Sequence, residues 1–264
     1  MKEIIEKLKQ LTGKEYVQLT ERGNKAIMLA LALAKQLGKT TVLIPDQGGW
    51  LTFKNYPGKL NLKLKEIKTS HGLLSLEDLE KKADNDSALL ACSMPGYLAV
   101  ETCLKKIHDV CRKKNMLFIN DASGSIGTEA AKCGDLIVSS FGKWKPVNLE
   151  YGGFVATNDN EHYTNFDESY FEEEKQEKLL EKLEQLPERL KKLKEARDKI
   201  LDELQSFDII HKDKQGINIA VRFDDEEAKN RITDYCRQNR LEFTECPRYI
   251  RVNEKAVSIE VKRL

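Results

Sequence analysis

The sequence predicts an α/β protein with three layers, α/β/α, in which a mostly parallel seven-stranded sheet precedes a small C-terminal α+β domain. Two observations favour this class: short β-rich runs recur through the first 157 residues, and helical patterns separate most of them. Such runs are typical of strands that are covered on both faces. The predicted strands are 16–19, 41–44, 62–67, 88–92, 116–120, 136–140 and 153–157.

Helical periodicity is clearest at 25–37 and 100–114, where apolar residues recur every three or four positions. The N-terminus also predicts an amphipathic helix, with Ile4, Leu8 and Leu11 on one face. The sequence therefore alternates strand and helix as a doubly wound domain does.

The composition changes to Lys, Glu and Leu from about residue 168, and leucines step along one helical face as far as 204. Pro187 predicts a break there, with a second helix beginning at its first turn. The tail predicts a strand at 217–223, a helix at 225–239 and short strands at 241–244, 249–252 and 257–261. We therefore expect a large α/β domain (1–167), connecting helices (168–206) and a small α+β domain (207–264).

Charge and hydropathy exclude several function classes. The 44 basic and 43 acidic side chains nearly cancel, which disfavours binding to nucleic acid or to an anionic membrane. No stretch approaches the roughly 20 apolar residues of a membrane span, so we expect a cytoplasmic protein. The six cysteines form no C-x-x-C pair, and neither they nor the four histidines have metal-ligand spacing, so no metal site is expected.

The residues that carry chemistry concentrate between 117 and 157. Asp121 follows a predicted buried strand, at the edge of the sheet where open α/β proteins bind ligands. A carboxylate at such a position needs a cationic partner to offset its desolvation. Lys143 and Lys145 lie in the loop after the next strand, where burial would make a lysine amine nucleophilic toward an aldehyde.

These residues occur in a specific order. Asp-Ala-Ser at 121–123 is followed by Gly127, by Ser-Phe-x-x-x-Lys at 140–145 and by Gly-Gly at 152–153. This pattern resembles the DegT-type sugar aminotransferases, which are fold type I enzymes that use pyridoxal phosphate (PLP). Over residues 15–160 the resemblance extends to Gly23-Asn24-Lys25 at a helix start, to the second strand and to a Pro-Gly turn at 95–96.

The resemblance implies roles for particular residues. Lys145 would be the Schiff-base lysine that forms the internal aldimine, with Lys143 as the competing lysine, and Asp121 would keep the pyridine nitrogen protonated. Gly23, Asn24 and Lys25 would cradle the phosphate at the helix N-terminus, together with Ser140. Trp50 would stack on the cofactor ring.

The resemblance also implies substrates and partners. The expected reaction moves an amino group from a small amino donor to a keto acceptor, in a homodimer with shared active sites. Arg251 resembles the arginine that holds a substrate carboxylate in related enzymes, and Arg248 is the alternative.

Some features depart from the family pattern and leave other functions open. The chain is shorter than expected, Gly124 replaces a polar residue, and Tyr151 replaces an acidic residue before the glycine pair. One alternative is a PLP-dependent lyase or desulfurase in which Cys246 accepts sulfur. Another is a non-catalytic descendant of the fold.

Overall fold

The computed structural model describes residues 1–97 and 100–264. Its large sheet has the strand order β1-β9-β8-β7-β6-β2-β3, and β9 runs antiparallel to both of its neighbours while the other pairs are parallel. All seven predicted strands of the mostly parallel sheet are confirmed. The strands of this part of the chain, including a short hairpin of β4 and β5, are Tyr16–Thr20 (β1), Thr41–Pro45 (β2), Lys63–Ile67 (β3), Thr69–Ser70 (β4), Leu73–Leu74 (β5), Ser87–Cys92 (β6), Leu117–Asp121 (β7), Leu136–Ser140 (β8) and Gly153–Thr157 (β9).

Helices cover both faces of this sheet, as predicted. Alternate strand residues enter different cores: Ile119 packs in the core of α2, whereas the adjacent Phe118 packs in the core of α4 and α5. The period of two follows from the pleat of a strand. The helices of this part are Lys2–Thr12 (α1), Gly23–Gln36 (α2), Leu51–Lys59 (α3), Leu76–Lys82 (α4), Leu104–Lys113 (α5) and Asn160–Thr164 (α6).

A single long helix, α7 (Gln176–Glu203), follows the large sheet. The predicted break at Pro187 is wrong, because the helix continues through that residue. Leu183 and Leu186 anchor its first half against the core that contains α1, and Leu193 and Ile200 anchor its second half in the C-terminal core. Pro187 itself is exposed, and the buried leucines on both sides of it hold the helix together despite the lost hydrogen bond.

The C-terminal part contains an antiparallel sheet with the order β10-β11-β13-β12. The predicted strand at 249–252 is wrong: the chain turns there, with Arg251 N donating to Arg248 O at 2.9 Å. A 3-10 helix at Val261–Arg263 ends the chain. The other elements are Ile209–Ile210 (β10), Ile219–Arg222 (β11), Glu226–Gln238 (α8), Phe243–Cys246 (β12) and Ala256–Ile259 (β13).

The topology brings distant parts of the sequence to one edge of the large sheet. β6, β7 and β8 are parallel neighbours, so their carboxyl ends at Cys92, Asp121 and Ser140 lie side by side. The division of the chain at residues 168 and 207 stays a prediction. Among the described residues, no helix is both long and apolar enough to cross a membrane.

Candidate active site

A cavity of about 620 Å³ opens at this edge of the sheet. Gly23, Asp121, Ser140 and Lys145 line one side of it, and we call these four residues the strand-end wall. They come from α2, β7, β8 and the loop after β8. The structure thus brings together residues that are up to 122 positions apart in the sequence.

The loop that carries Lys145 has an unusual backbone. Trp144, Asn148 and Glu150 all have positive φ angles, of 62°, 48° and 65°. Side chains with a Cβ rarely adopt this conformation, and it persists only where surrounding contacts impose it. One such contact is the bond from Trp144 N to Asn148 Oδ1, at 2.7 Å.

Lys145 is only partly buried as a whole residue, but its amine end is enclosed in the cavity. The pKa of Lys145 is lowered to about 7, mainly by burial; Cys92 opposes this shift, and nearby Arg251 contributes to it. The amine lies 5.6 Å from the centre of the Trp50 ring. Lys143, by contrast, is exposed, with its amine 4.9 Å from the ring of Trp144.

Asp121 is 6% exposed at the end of β7. Its Oδ1 accepts a bond from Ser123 N at 2.9 Å, and the Cys92 thiol lies 3.8 Å from its Oδ2. Burial raises the pKa of Asp121, and the hydrogen bonds from Ser123 and Cys92 oppose that shift. Both recorded partners in the described chain are neutral, so this buried carboxyl group suits a cationic ligand atom.

The N-terminus of α2 suits an anion. Its N-cap residue, Arg22, makes no side-chain cap, and its first turn contains no acidic residue, so the first backbone N–H groups can bind a ligand. A Cβ on Gly23 would come within 2.4 Å of Ser140 Cβ, which shows how closely the two elements approach. The Ser140 hydroxyl accepts a bond from Gly142 N at 3.1 Å.

Two other predicted cofactor residues lie near this helix end. Asn24 lines the cavity, and its Oδ1 accepts a bond from Trp50 Nε1 at 3.1 Å. Trp50 also lines the cavity and remains 39% exposed. Lys25 does not line the cavity, and its backbone N–H donates to Arg22 O within the first helical turn.

Another part of the cavity lining comes from the last 17 residues of the sequence. Four cationic residues line it, and we call them the C-terminal wall: Arg248, Arg251, Lys262 and Arg263. The guanidinium of Arg263 lies 4.0 Å from the centre of the Trp144 ring, so this wall reaches the loop that carries Lys145. That contact has the geometry of a cation–π interaction.

A buried carboxylate, Glu260, organises the C-terminal wall. Arg251 binds both of its oxygens, at 3.0 and 3.1 Å, and Lys262 contacts Oε2. Arg263 Nε lies 3.8 Å from the same oxygen. The planar fork of Arg251, which sequence reasoning assigned to a substrate carboxylate, is therefore turned toward Glu260, whereas Arg248 is exposed.

Sequence reasoning did not assign roles to Cys92, Trp144, Glu260, Lys262 and Arg263. The sequence could have indicated Cys92 as a site residue, because Cys92 ends a predicted strand at the same sheet edge as Asp121. No local pattern pointed to the C-terminal residues, which lie more than 100 positions from Lys145. In the described chain no group of three His, Cys, Asp or Glu side chains is placed to hold a metal ion.

These features together fit PLP. The uncapped helix end with the Ser140 hydroxyl suits its phosphate, buried Asp121 suits a protonated ring nitrogen, and the enclosed amine of Lys145 suits its aldehyde. All of them line one cavity. The residues that are present can therefore hold the cofactor.

Comparison with known proteins gives a family for most of the chain. Residues 1–171 match the model of the DegT/DnrJ/EryC1/StrS aminotransferase family. Residues 178–264 match a second model, the MJ1341 family C-terminal domain. No curated protein matches the chain.

Many solved structures share the fold, at low sequence identity. PseC from Helicobacter pylori, an aminotransferase involved in the biosynthesis of pseudoaminic acid, has a TM-score of 0.78 and 14% identity over 97% of this chain and 84% of its own. The sugar aminotransferase CalS13 from Micromonospora echinospora has a TM-score of 0.75 and 17% identity, over 98% of this chain and 86% of its own. NtdA from Bacillus subtilis, solved with bound cofactor PMP, has a TM-score of 0.77 and 14% identity, over 98% of this chain and 72% of its own.

These likenesses confirm the fold class predicted from the sequence, and the family match confirms the resemblance. The matched segment contains the whole strand-end wall. The chain therefore belongs to the DegT/DnrJ/EryC1/StrS aminotransferase family, whose aminotransferases use pyridoxal phosphate.

Proposed function

We propose that this chain is an aminotransferase in which Lys145 binds PLP covalently through its amine. The observation that carries the proposal is that the amine of Lys145, the carboxyl of Asp121 and the N-terminus of α2 line one cavity. Asp121 would pair with the ring nitrogen, and Gly23, Asn24 and Ser140 would hold the phosphate. Bound PLP supplies an electron sink for charge that develops beside the substrate nitrogen.

The difference between the two loop lysines supports Lys145. Because burial lowers the pKa of Lys145 to about 7, a large fraction of its amine is neutral at physiological pH. A neutral amine can attack an aldehyde and can later accept and return a proton as a general base. Lys143 is exposed over the Trp144 ring and has no comparable enclosure.

The substrate would meet the C-terminal wall. Its four basic side chains line the same cavity as Lys145, which favours substrates that carry an acidic group. Arg248 is exposed and Arg263 lies over Trp144, so these two residues would contact that group, with Arg251 behind them on Glu260. We infer an acidic amino donor and a keto acceptor; relatives described as sugar aminotransferases favour a keto sugar.

A homodimer is part of the proposal. Trp50 and the adjacent Leu51 are 39% and 53% exposed at the edge of the cavity. A second copy that covered these apolar side chains would also close the site, and sedimentation velocity would measure the resulting mass. A monomer at micromolar concentration with PLP bound would contradict this part.

The covalent attachment can be tested directly. Purified protein would be incubated with PLP, reduced with borohydride and digested, and the modified peptide would be mapped by mass spectrometry. We expect the adduct on Lys145, its loss in Lys145→Ala and its retention in the matched control Lys143→Ala. An adduct on Lys143, or an equal yield from Lys145→Ala, would refute the assignment.

The desulfurase alternative receives less support. Cys246, its candidate sulfur acceptor, is 7% exposed in β12 and is not on the cavity lining. A thiol outside the cavity cannot reach a substrate held at Lys145 without a rearrangement of β12. Sulfide release from cysteine that depends on Cys246 would restore this alternative.

A further inference from the structure

The thiol of Cys92 lies inside the cavity next to Asp121. Cys92 ends β6, and the parallel pairing of β6 with β7 sets it opposite Asp121. Paired residues of adjacent strands point to the same face of a sheet, and both residues line the cavity. The distance of 3.8 Å from Cys92 Sγ to Asp121 Oδ2 is within the range of a hydrogen bond to sulfur.

The surroundings keep this thiol protonated. Burial raises the pKa of Cys92 well above its usual value, and the charge of Asp121 raises it further, while Lys145 opposes the shift. A protonated thiol is a weak donor, and a carboxylate is an acceptor with about four lone-pair sites. The S–H of Cys92 therefore donates to Oδ2 while Ser123 N donates to Oδ1.

We propose that Cys92 is a positioning residue that fixes the Asp121 carboxylate and stabilises its negative charge. With one donor on each oxygen, the carboxylate cannot rotate freely. The consequence for the cofactor rests on the proposed function, because Asp121 would then present a fixed acceptor to the ring nitrogen of PLP. The contact between Cys92 and Asp121 does not depend on that proposal.

Four variants separate this role from simple packing. Cys92→Ala removes the donor, and Cys92→Val removes it while filling the space, which keeps the test decisive if the alanine variant folds poorly. Cys92→Ser retains a donor of similar size. Cys111→Ala is the matched control, because Cys111 is also buried in the large domain but is not on the cavity lining.

The first experiment uses the full chain without PLP. The carboxyl carbons of aspartate would be labelled with carbon-13, and the signal of Asp121, assigned with Asp121→Asn, would be followed by NMR against pH. We expect Cys92→Ala and Cys92→Val to raise the titration midpoint by about one pH unit, and Cys92→Ser and Cys111→Ala to leave it near that of the unaltered chain. An unchanged midpoint in both variants that lack the donor would overturn the proposal.

The second experiment measures PLP binding by fluorescence titration. We expect the dissociation constant to rise about three- to tenfold in Cys92→Ala and Cys92→Val, the effect of one weak hydrogen bond to a charged group. Cys92→Ser should restore it. If the unaltered chain does not bind PLP, the proposed function is refuted, and the NMR result still decides the role of Cys92. If PLP binds equally well to all variants, only the proposed effect of Cys92 on PLP binding is refuted.

Discussion

The strand-end wall and the C-terminal wall differ in the surroundings of their buried carboxyl groups: Asp121 has neutral hydrogen-bond donors, whereas three basic side chains surround Glu260. Asp121 has neutral donors on both of its oxygens, and burial is the largest cause of the lowered pKa of Lys145. Arg251, Lys262 and Arg263 instead share Glu260. The first wall therefore suits a ligand that carries a cationic atom, and the second is a structural ion cluster whose outer members line the cavity.

Glu260→Gln tests the C-terminal wall and has the largest expected effect. The change leaves Arg251 and Lys262 buried without their carboxylate, and breaking a buried ion pair in this way costs about 3–5 kcal/mol of unfolding free energy. Urea denaturation would measure it. Glu242→Gln is the control, since the side chain of Glu242, which pairs with Arg263, is 58% exposed. An exposed ion pair contributes about 0–1 kcal/mol to the free energy of unfolding. Equal losses in the two variants would contradict the difference in burial.

The pH dependence of PLP capture tests the strand-end wall. Only the neutral amine of Lys145 reacts with an aldehyde, and its pKa is lowered to about 7. Well below that pH the neutral fraction falls about tenfold per unit, so the second-order rate of capture should fall about fiftyfold from pH 7 to pH 5 and level off above pH 8. Stopped-flow absorbance would record it. A midpoint near pH 10 would show that the amine is solvated.

Gly23→Ala tests how closely the strand-end wall is packed. The new Cβ would lie 2.4 Å from Ser140 Cβ, so α2 must move away from β8. The groove between α2 and β8, where we propose that the phosphate binds, would then change shape. We expect PLP affinity to fall about tenfold and the unfolding free energy to fall by about 1–3 kcal/mol. Gly58→Ala is the control, because a Cβ there meets nothing within 4 Å. Unaltered PLP affinity in Gly23→Ala would exclude the groove as the phosphate site.

Arg248→Ala has the smallest expected effect. Arg248 lines the cavity but is exposed, so its loss removes one solvated contact to an acidic substrate and leaves the fold intact. We expect KM for an acidic amino donor to rise about fivefold with little change in kcat, the pattern of lost ground-state binding. The control is Arg112→Ala, in an exposed pair on α5. A fall in kcat without a change in KM would place Arg248 in the chemical step instead.

The elements that sequence reasoning located correctly are those with strong local signals. The five inner strands of the large sheet are short apolar runs, and their burial on both faces confirms that pattern, whereas the edge strand β3 is largely exposed. The predictions at Pro187 and at 249–252 were wrong, because long-range contacts outweigh the local conformational preference at both places. Buried leucines on both sides carry α7 through the proline, and the segment at 249–252 forms a turn beside the cavity instead of a strand.

The candidate site divides in the same way. The four residues of the strand-end wall were all predicted. The carboxyl ends of parallel strands lie at one edge of a sheet, and the motifs occur in the sequence directly after those strands. Arg248 and Arg251 were predicted as individual residues, but not the orientation of Arg251. Its fork has two acceptors in Glu260, nine positions away, and sequence alone cannot show which carboxylate an arginine will face.

The sequence by itself determined the fold class, the family and the candidate cofactor residues, because hydrophobic period and motif spacing are local properties of the chain. Only the tertiary structure decided which of two lysines is enclosed, that Cys92 contacts Asp121, and that the last residues of the chain form a cavity wall. These outcomes depend on the distances and the desolvation that arise when separate segments pack together. Neither quantity exists in the chain before it folds.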